Sequence, residues 1–409
     1  MAVDLAGRLP APRVATLARL RDPATQDPID DALLLYFPAP ASFTGEDVLE
    51  IQHHGSIAVA RLLSDVLGSM VGLRPAAPGE FSRRAFLNGK LDLTQVEGLA
   101  DLIEATTAAQ SRAALRQMNG VQGRQLAVWR EELFHALALL EAEIDFAADE
   151  EVPDALWESL APSLQRIADD IRAQLDDGHK SERLRQGVTI AVVGAPNVGK
   201  SSLVNALAKR DVAIVTALPG TTRDVIEVAL DLDGLPVTLL DTAGLRESED
   251  LVEQAGMARA RDRAAQADLR LHVVDCPRDL PYENALPAGT LSVLNKLDLW
   301  SDAVLPSSVL AVSVHTGQGL DCLLNALANS ARALLPGEDA ALVTRARHRA
   351  AMDDAMTALE RALALGAAAD LGLLAEDLRL AAQAIGRVTG AFGVEEVLDR
   401  IFATFCIGK

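Results

Sequence analysis

GAPNVGKS, residues 194–201, lies between the apolar run VTIAVV (188–193) and SLVNALAK (202–209), which reads as a helix. Glycines let such a strand-to-helix loop curl around a phosphate, and the backbone N–H groups at the helix N-terminus then point at that phosphate. In this pattern Lys200 reaches the terminal phosphates and the Ser201 hydroxyl ligates Mg2+. The stretch therefore predicts a phosphate-binding loop within an α/β domain.

Three further motifs follow in the order of a guanine-nucleotide site. In LLDTAG, Asp241 ends an apolar strand, where its carboxylate can meet Mg2+ through water, and the Gly244 N–H can sense the γ-phosphate. In NKLD, the Asp298 carboxylate can accept hydrogen bonds from the ring N–H and the exocyclic amine of guanine, a donor pair that adenine lacks. SVHTGQGL, from Ser313 onward, offers backbone N–H groups to the guanine oxygen. Together the four motifs predict a GTP-binding domain.

The regions around these motifs predict a multidomain α/β protein. Short β-branched runs alternate with helical segments around the four motifs, which favours a mostly parallel sheet covered by helices. Before them, short apolar runs punctuated by Pro, Gly and Asp are typical of a small α+β unit. We predict an N-terminal α+β domain at 1–89 and a Ras-like P-loop GTPase domain at 187–335. The GTPase domain is inserted into a helical domain made of 90–186 and 336–409.

Two local patterns mark the ends of predicted helices. Thr94 and Glu97 match a capping box, which predicts the start of the first long helix of the helical domain. A later helical stretch is expected to continue to about residue 180 and to end in the polar linker DDGHKSERLRQG, residues 176–187.

The net charge, the cysteines and the lack of long apolar runs disfavour several classes of protein. The formal charge of -20 over 409 residues disfavours general binding to nucleic acid or anionic membranes, so any nucleic-acid contact must come from a local basic patch. Cys276, Cys322 and Cys406 lie far apart and indicate neither a zinc site nor a redox dithiol, which favours a reducing cytosol. The chain shows no signal segment and no apolar run long enough for a membrane helix, so we predict a soluble, cytoplasmic protein.

One position argues against the usual route of GTP hydrolysis. Leu245 directly follows the DTAG glycine, where small GTPases place a glutamine that orients the attacking water. An apolar side chain cannot hold that water, so either catalysis is poor or another residue takes over. The candidates in LRESEDLVEQAG are Arg246, Glu247, Glu249, Asp250 and Glu253.

Six stretches together resemble the tRNA-modifying GTPase family MnmE, also called TrmE: GAPNVGKSSL, AIVTALPGTTRD, DTAGLRESEDLVEQAG, SFTGEDVLEIQHHG, PGEFSRRAFLNGKLDL and the terminal FCIGK. The resemblance implies GTP hydrolysis coupled to transfer of a folate one-carbon unit, from methylene- or formyl-tetrahydrofolate. With the flavoprotein MnmG, the family builds a carboxymethylaminomethyl or aminomethyl-type group on carbon five of the wobble uridine of certain tRNAs. It also implies a homodimer formed through the N-terminal domain and potassium-dependent pairing of GTPase domains. Family members normally carry an additional strand and glycine-rich segment before the equivalent of residue 1.

The resemblance also assigns roles within the GTPase motifs. It makes Asn197 a potassium ligand, together with Thr216, the carbonyl of Leu218, and Thr221. A potassium ion against the phosphates would supply the positive charge that other GTPases obtain from an arginine. Thr222 would join Ser201 in the Mg2+ shell, and Glu253 matches the family's water-orienting acid.

The expected GTP contacts form four groups along the chain. They are Asn197, Val198, Gly199, Lys200, Ser201 and Ser202; Thr216, Ala217, Leu218, Pro219, Gly220, Thr221 and Thr222; Asp241, Thr242, Ala243 and Gly244; and Asn295, Lys296, Leu297 and Asp298 with Ser313, Val314 and His315.

Folate binding is implied for Glu50, Lys90 and Lys409, and a catalytic role for Cys406. From the sequence alone, Glu50 could equally be an ordinary surface acid, and Cys406 could be a buried structural thiol. Apolar residues at helical spacing predict that the last helix is anchored in a core beside Cys406. They are Val394, Val397, Leu398, Ile401, Phe402 and Phe405.

Two questions remain open, one about a basic helix face and one about the function. In TRARHR, Arg345, His348 and Arg349 share one face of a predicted helix, which is either a contact for tRNA phosphates or a solvated surface. The GTPase motifs alone would also permit a ribosome-assembly or regulatory GTPase switch without folate chemistry, or a scaffold whose nucleotide times assembly with another protein.

Overall fold

The computed structural model describes residues 1–146, 154–210, 212–214, 227–241, 264–276, 287–300, 309–335, 344–366, 370–392 and 401–402. Contacts divide the chain into two compact units. The first contains residues 1–100, 117–128 and 385–409, and the second contains residues 101–116 and 129–384.

The described elements comprise a short first helix, three early strands, a long run of helices, a second group of strands interrupted by one helix and a 3-10 turn, and three final helices. In chain order they are α1 Ala2–Ala6, β1 Thr16–Arg21, β2 Pro28–Phe37, β3 Val48–Gln52, α2 Ile57–Ser69, α3 Glu80–Leu87, α4 Leu93–Glu104, α5 Ala108–Met118, α6 Val121–Phe146, α7 Asp154–Gln186, β4 Val188–Val193, α8 Lys200–Ala208, β5 Glu227–Leu232, β6 Leu235–Asp241, β7 Leu269–Val274, β8 Thr290–Leu294, a 3-10 turn Leu297–Leu299, β9 Leu310–Ala311, α9 Leu320–Leu334, α10 Ala346–Leu365 and α11 Leu371–Thr389.

The first unit contains a three-stranded antiparallel sheet in the order β1-β2-β3. Alternate residues of the strands turn inward, so Leu20 and Leu34 are fully buried. They pack with Leu5 of α1 and with Leu63 and Val66 of α2. This arrangement confirms the α+β character predicted for the N-terminal region.

Helix α4 is capped by Asp92 and Gln95. Asp92 Oδ1 accepts the Gln95 N–H at 2.9 Å, and the Asp92 N–H donates to Gln95 Oε1 at 2.9 Å. Thr94 lies inside the helix, and its hydroxyl donates to Asp92 Oδ1 at 2.6 Å. The predicted Thr94–Glu97 capping box is therefore wrong by two residues, because Asp-x-x-Gln makes the same reciprocal pair one half-turn earlier.

Phe402 lies in an apolar cluster of the first unit. It is 3% exposed and packs with Leu93 and Val96 of α4, while the partly buried Ile401 packs against the same cluster. These two residues confirm their part of the predicted apolar stripe. The other members of the stripe, and Cys406 beside it, lie outside the described residues.

The second unit is built on a six-stranded sheet in the order β5-β6-β4-β7-β8-β9. All neighbouring pairs are parallel except β5 with β6. The strands are apolar runs because both faces of such a sheet are covered. Helices α8 and α9 supply Leu203, Leu207, Leu323 and Leu327 to its core, and each of these side chains is fully buried. The mostly parallel sheet predicted from the sequence is confirmed.

Strand β5 was not predicted from the sequence. It joins β6 through the two-residue turn Asp233–Gly234, in which both residues have positive φ, 55° and 82°. The Gly234 N–H donates to Asp231 Oδ1 at 2.6 Å. An Asp-Gly pair between β-forming runs is a strong hairpin signal, because both positions must adopt left-handed backbone conformations.

Helix α7 runs for 33 residues and continues through the segment predicted as a linker. Near its end, the buried Leu184 joins the core of the sheet. Arg183 Nε donates to Asp268 Oδ1 at 2.6 Å, and Asp268 Oδ2 accepts both the Thr189 N–H at 2.9 Å and the Thr189 hydroxyl at 2.8 Å. The linker prediction is wrong because these polar residues bind the sheet while the helix continues.

Candidate guanine-nucleotide site

The loop between β4 and α8 can be built only with glycine at its two ends. Gly194 has φ 149°, and a Cβ there would lie 2.2 Å from the Val273 carbonyl oxygen. Gly199 has φ 96°, and a Cβ there would lie 2.4 Å from Asn295 Nδ2. Asn197, with φ 65°, completes the turn into the helix. This backbone directs the first N–H groups of α8 toward the loop, an arrangement suited to a phosphate.

Lys200 is held inside this loop. It is 8% exposed, and its ammonium donates to the carbonyl oxygens of Gly194 and Ala195, both at 2.9 Å. Ser201 follows it and is half-buried, whereas Ser202 is exposed on the same helix. The positive charge therefore lies at the opening of the loop, where a phosphate oxygen can exchange with these carbonyls.

Asp241 lies at the same edge of the sheet. It is the last residue of β6, pairs with Val192 of β4, and is 1% exposed. Because the carboxyl ends of parallel strands lie at one edge, Asp241 ends β6 at the edge where the loop that leads to Ser201 leaves β4. Hard oxygen donors such as its carboxylate suit Mg2+.

The NKLD residues are bonded directly to the phosphate loop. Asn295 is 2% exposed, and its Nδ2 donates to the Val198 carbonyl oxygen at 2.9 Å. Lys296, with φ 58°, donates from Nζ to the Asn197 carbonyl oxygen at 2.9 Å. Two motifs about a hundred residues apart in sequence are thus joined by two adjacent bonds, as one nucleotide-binding site requires.

Asp298 is oriented by the last motif. The Ser313 hydroxyl donates to Asp298 Oδ1 at 2.5 Å, and the same oxygen of Ser313 accepts the Thr316 N–H at 3.2 Å. The pKa of Asp298 lies below its usual value, mainly because of this hydroxyl hydrogen bond. The carboxylate is therefore an ionised acceptor. Val314 is half-buried and His315 is exposed beside it.

Sequence reasoning missed two residues of this site. Asp275 follows β7, and its Oδ2 accepts from Lys296 Nζ at 2.6 Å. Trp300 Nε1 donates to the Asp275 carbonyl oxygen at 2.7 Å. The signal for Asp275 was present, because it ends an apolar strand in the same way as Asp241.

Many predicted site residues lie outside the described part of the chain. They are Thr216, Ala217, Leu218, Pro219, Gly220, Thr221, Thr222, Thr242, Ala243, Gly244, Leu245, Glu253, Cys406 and Lys409.

The two described folate candidates are in the first unit. Glu50 is exposed on β3, opposite Leu35 of β2. Lys90 donates from Nζ to the Pro40 carbonyl oxygen at 3.0 Å. These contacts place both side chains without testing their role, which stays a prediction.

The proposed basic face in TRARHR is wrong. His348 is fully buried, and Arg345 is the cap of α10, where its Nη2 donates to Asp101 Oδ1 at 2.7 Å. Arg349 donates to the Leu175 carbonyl oxygen at 3.3 Å. Helical spacing correctly placed the residues close together, but the guanidinium groups of Arg345 and Arg349 bind neighbouring helices within the second unit.

The described residues contain no group of three or more His, Cys, Asp or Glu side chains arranged to hold a metal ion. None of the helices that the structure describes is both long enough and apolar enough to cross a membrane.

Comparison with known proteins identifies the family. A model of the "MnmE helical domain" matches residues 93–406, and one of the "GTP-binding protein TrmE N-terminus" matches residues 2–90. A protein of Parvibaculum lavamentivorans described as "tRNA modification GTPase MnmE" is 52% identical over 403 residues, covering 98% of this chain and 91% of the relative. Relatives of the same description from Methylorubrum populi (51% identity, 99% of this chain and 91% of the relative) and Rhodospirillum rubrum (50%, 99% and 92%) match equally far.

Among solved structures, Era from Aquifex aeolicus bound to GDP and aluminium tetrafluoride is 27% identical. The match covers 42% of this chain and 66% of Era, with a TM-score of 0.26, a value that carries no argument about the fold. The family assignment rests instead on the two family models and the near full-length relatives. The chain therefore belongs to the MnmE (TrmE) family of tRNA modification GTPases.

Proposed function

We propose that this chain hydrolyses GTP to drive modification of the wobble uridine of certain tRNAs at carbon five, using a folate one-carbon unit. The partner is the flavoprotein MnmG, and the product is a carboxymethylaminomethyl or aminomethyl-type group. The observation that carries the GTPase part is the bonding of Asn295 and Lys296 to the phosphate loop. This bonding connects the segment that carries the ionised Asp298 to the phosphate loop, which supports guanine selection by that carboxylate.

In this proposal the chain's own residues bind and orient the nucleotide. Lys200 exchanges its bonds with the Gly194 and Ala195 carbonyls for phosphate oxygens. Ser201 and Thr222 would hold Mg2+, and the Asp241 carboxylate would meet the ion through water. When bound, the ion would neutralise charge on the phosphates. The described members of this set fit the ion, because Ser201 and Asp241 are oxygen donors at one edge of the sheet.

Potassium would take the place of an arginine in the transition state. Asn197 is exposed at the tip of the phosphate loop, where its side-chain oxygen is accessible to a cation. Thr216, the Leu218 carbonyl and Thr221 complete the proposed ligand set. Glu253 orients the attacking water, since the apolar Leu245 cannot do so.

The folate chemistry is assigned to Glu50, Lys90 and Lys409, with Cys406 as the candidate nucleophile or acid/base. A carboxylate such as Glu50, exposed on a strand, can bind the amidine edge of a pterin through two parallel hydrogen bonds. We propose a cytoplasmic homodimer formed through an N-terminal domain at 1–89. The GTPase domain at 187–335 is inserted between helical segments 90–186 and 336–409.

The test is GTP turnover in potassium and in sodium chloride, followed by modification of tRNA in the presence of MnmG and a reduced folate. Turnover should rise strongly in potassium, because sodium is too small for the Asn197 site. Glu253→Ala should lose turnover and keep GDP affinity, whereas Cys406→Ser should lose modification and keep both turnover and melting temperature. Equal rates in the two salts would contradict the potassium site. Repeated failure to bind reduced folate would favour a GTPase switch without folate chemistry.

A further inference from the structure

Asp275 ends β7, a strand that lies between β4 and β8 in the sheet. The phosphate loop follows β4, and NKLD follows β8. Asp275 is therefore at the edge where both parts of the nucleotide site meet. No step of the proposed function uses it.

Two side chains of the guanine loop bond to this one residue. Lys296 Nζ donates to Asp275 Oδ2 at 2.6 Å, and Trp300 Nε1 donates to the Asp275 carbonyl oxygen at 2.7 Å. Lys296 and Trp300 flank the 3-10 turn Leu297–Leu299, which contains Asp298. Asp275 thus holds both ends of the turn that carries the guanine-selecting carboxylate.

The same ammonium continues the connection to the phosphate loop. Lys296 Nζ also donates to the Asn197 carbonyl oxygen at 2.9 Å. Asn197 is a non-glycine residue at φ 65°, a conformation that needs support from its surroundings. Its backbone is held by Lys296, and Lys296 is held by Asp275.

We infer that Asp275 is a positioning residue that couples guanine recognition to the potassium ligand Asn197 through Lys296. The potassium part of this inference rests on the proposed function. Without the carboxylate, the Lys296 ammonium is no longer directed at the Asn197 carbonyl. The guanine loop would then be joined to the phosphate loop by the Asn295–Val198 hydrogen bond without the second bond at Asn197.

The Asp275–Lys296 ion pair is too exposed for its main effect to be on stability. The side chains of Asp275 and Lys296 are 32% and 37% exposed, and pairs of such exposure add little to stability. The inferred role should therefore appear in nucleotide and cation binding while the melting temperature stays near that of the wild type.

The primary experiment measures release of a fluorescent GDP analogue in sodium buffer, which does not depend on potassium. We expect Asp275→Asn to release the analogue about fivefold faster and Asp275→Ala about tenfold faster, corresponding to the loss of one charge-assisted hydrogen bond. Asp233→Asn is the matched control, because it removes the same charge from an exposed pair with Arg332 while suiting its turn position. It should release GDP at the wild-type rate.

A double variant tests the path through Lys296. If Asp275 acts through that ammonium, then Asp275→Asn combined with Lys296→Ala should release GDP no faster than Lys296→Ala alone. Additive effects would overturn the inference, as would unchanged GDP release in Asp275→Asn or equally fast release in the control. If Asp275→Ala does not fold, Asp275→Asn and the double variant decide the question.

The coupling to potassium is read from GTP turnover against potassium concentration. Asp275→Asn should raise the half-activating concentration several-fold and leave turnover at saturating potassium within about twofold of the wild type. An unchanged half-activating concentration would overturn the coupling. If the wild-type protein itself shows no potassium activation, the potassium part of the proposed function fails. The GDP-release measurements would still decide whether Asp275 positions Lys296.

Discussion

Replacing Asn295 by alanine should weaken guanine-nucleotide binding, because its amide makes one of the two hydrogen bonds that join the halves of the site. Its Nδ2 donates to the Val198 carbonyl oxygen at 2.9 Å, and Asn295 and Val198 are 2% and 4% exposed. Removing the donor leaves a buried carbonyl without this partner, at a cost of about 1–3 kcal/mol. If the nucleotide-bound loop must carry that cost, the dissociation constant rises by about 5- to 150-fold.

The assay is equilibrium titration with a fluorescent GDP analogue, with a thermal scan of each variant. Asn295→Asp is the matched variant, because it keeps the shape and replaces the donor by an oxygen that faces the Val198 carbonyl. It should bind at least as weakly as Asn295→Ala. If either variant binds within about twofold of the wild type, the amide is not what holds the loop in its binding shape.

Three further changes test other parts of the structure. Asp268→Ala removes the acceptor of both Thr189 bonds, so urea unfolding should show a loss of about 2–3 kcal/mol while GDP affinity stays unchanged. Ser313→Ala removes the main cause of the lowered pKa of Asp298. Because only the ionised carboxylate binds guanine, the fall in GDP affinity on acidification should begin at a higher pH than in the wild type; an unchanged profile would reject this role. Gly199→Ala forces a positive φ and a close contact, so GDP affinity should fall by more than about tenfold, measured by calorimetry.

The sequence predicts well those site residues that belong to a motif at the carboxyl end of a strand. Asp241 ends an apolar strand, Asn295 directly follows another, and Lys200 lies beyond the loop that follows a third. Parallel strands bring their carboxyl ends together. Asp275 has the same placement, yet it lacks a surrounding motif. Its role depends on a contact with Lys296 that no local spacing specifies.

Two predictions are wrong because a local sequence pattern does not determine packing: the basic face of the TRARHR helix and the linker before Gly187. Arg345 and His348 are close on one helix, but periodicity alone does not say whether that face meets solvent or another helix. Likewise, the polar segment before Gly187 has the composition of a linker. It remains helical because Leu184 enters the core and Arg183 bonds to Asp268.

Within the second unit, this bonding makes α7 a link between the sheet and α10. Its 33 residues span about 50 Å at ~1.5 Å per residue. Near its C-terminal end, Arg183 donates to Asp268. Farther back along α7, the Leu175 carbonyl accepts from Arg349 of α10, and Arg172 donates to Glu360 of the same helix. Toward the start of the helix, the side chains of Leu164, Ile167 and Ile171 are fully buried. One continuous helix therefore ties the edge of the sheet to α10, so the two cannot shift independently while α7 stays helical.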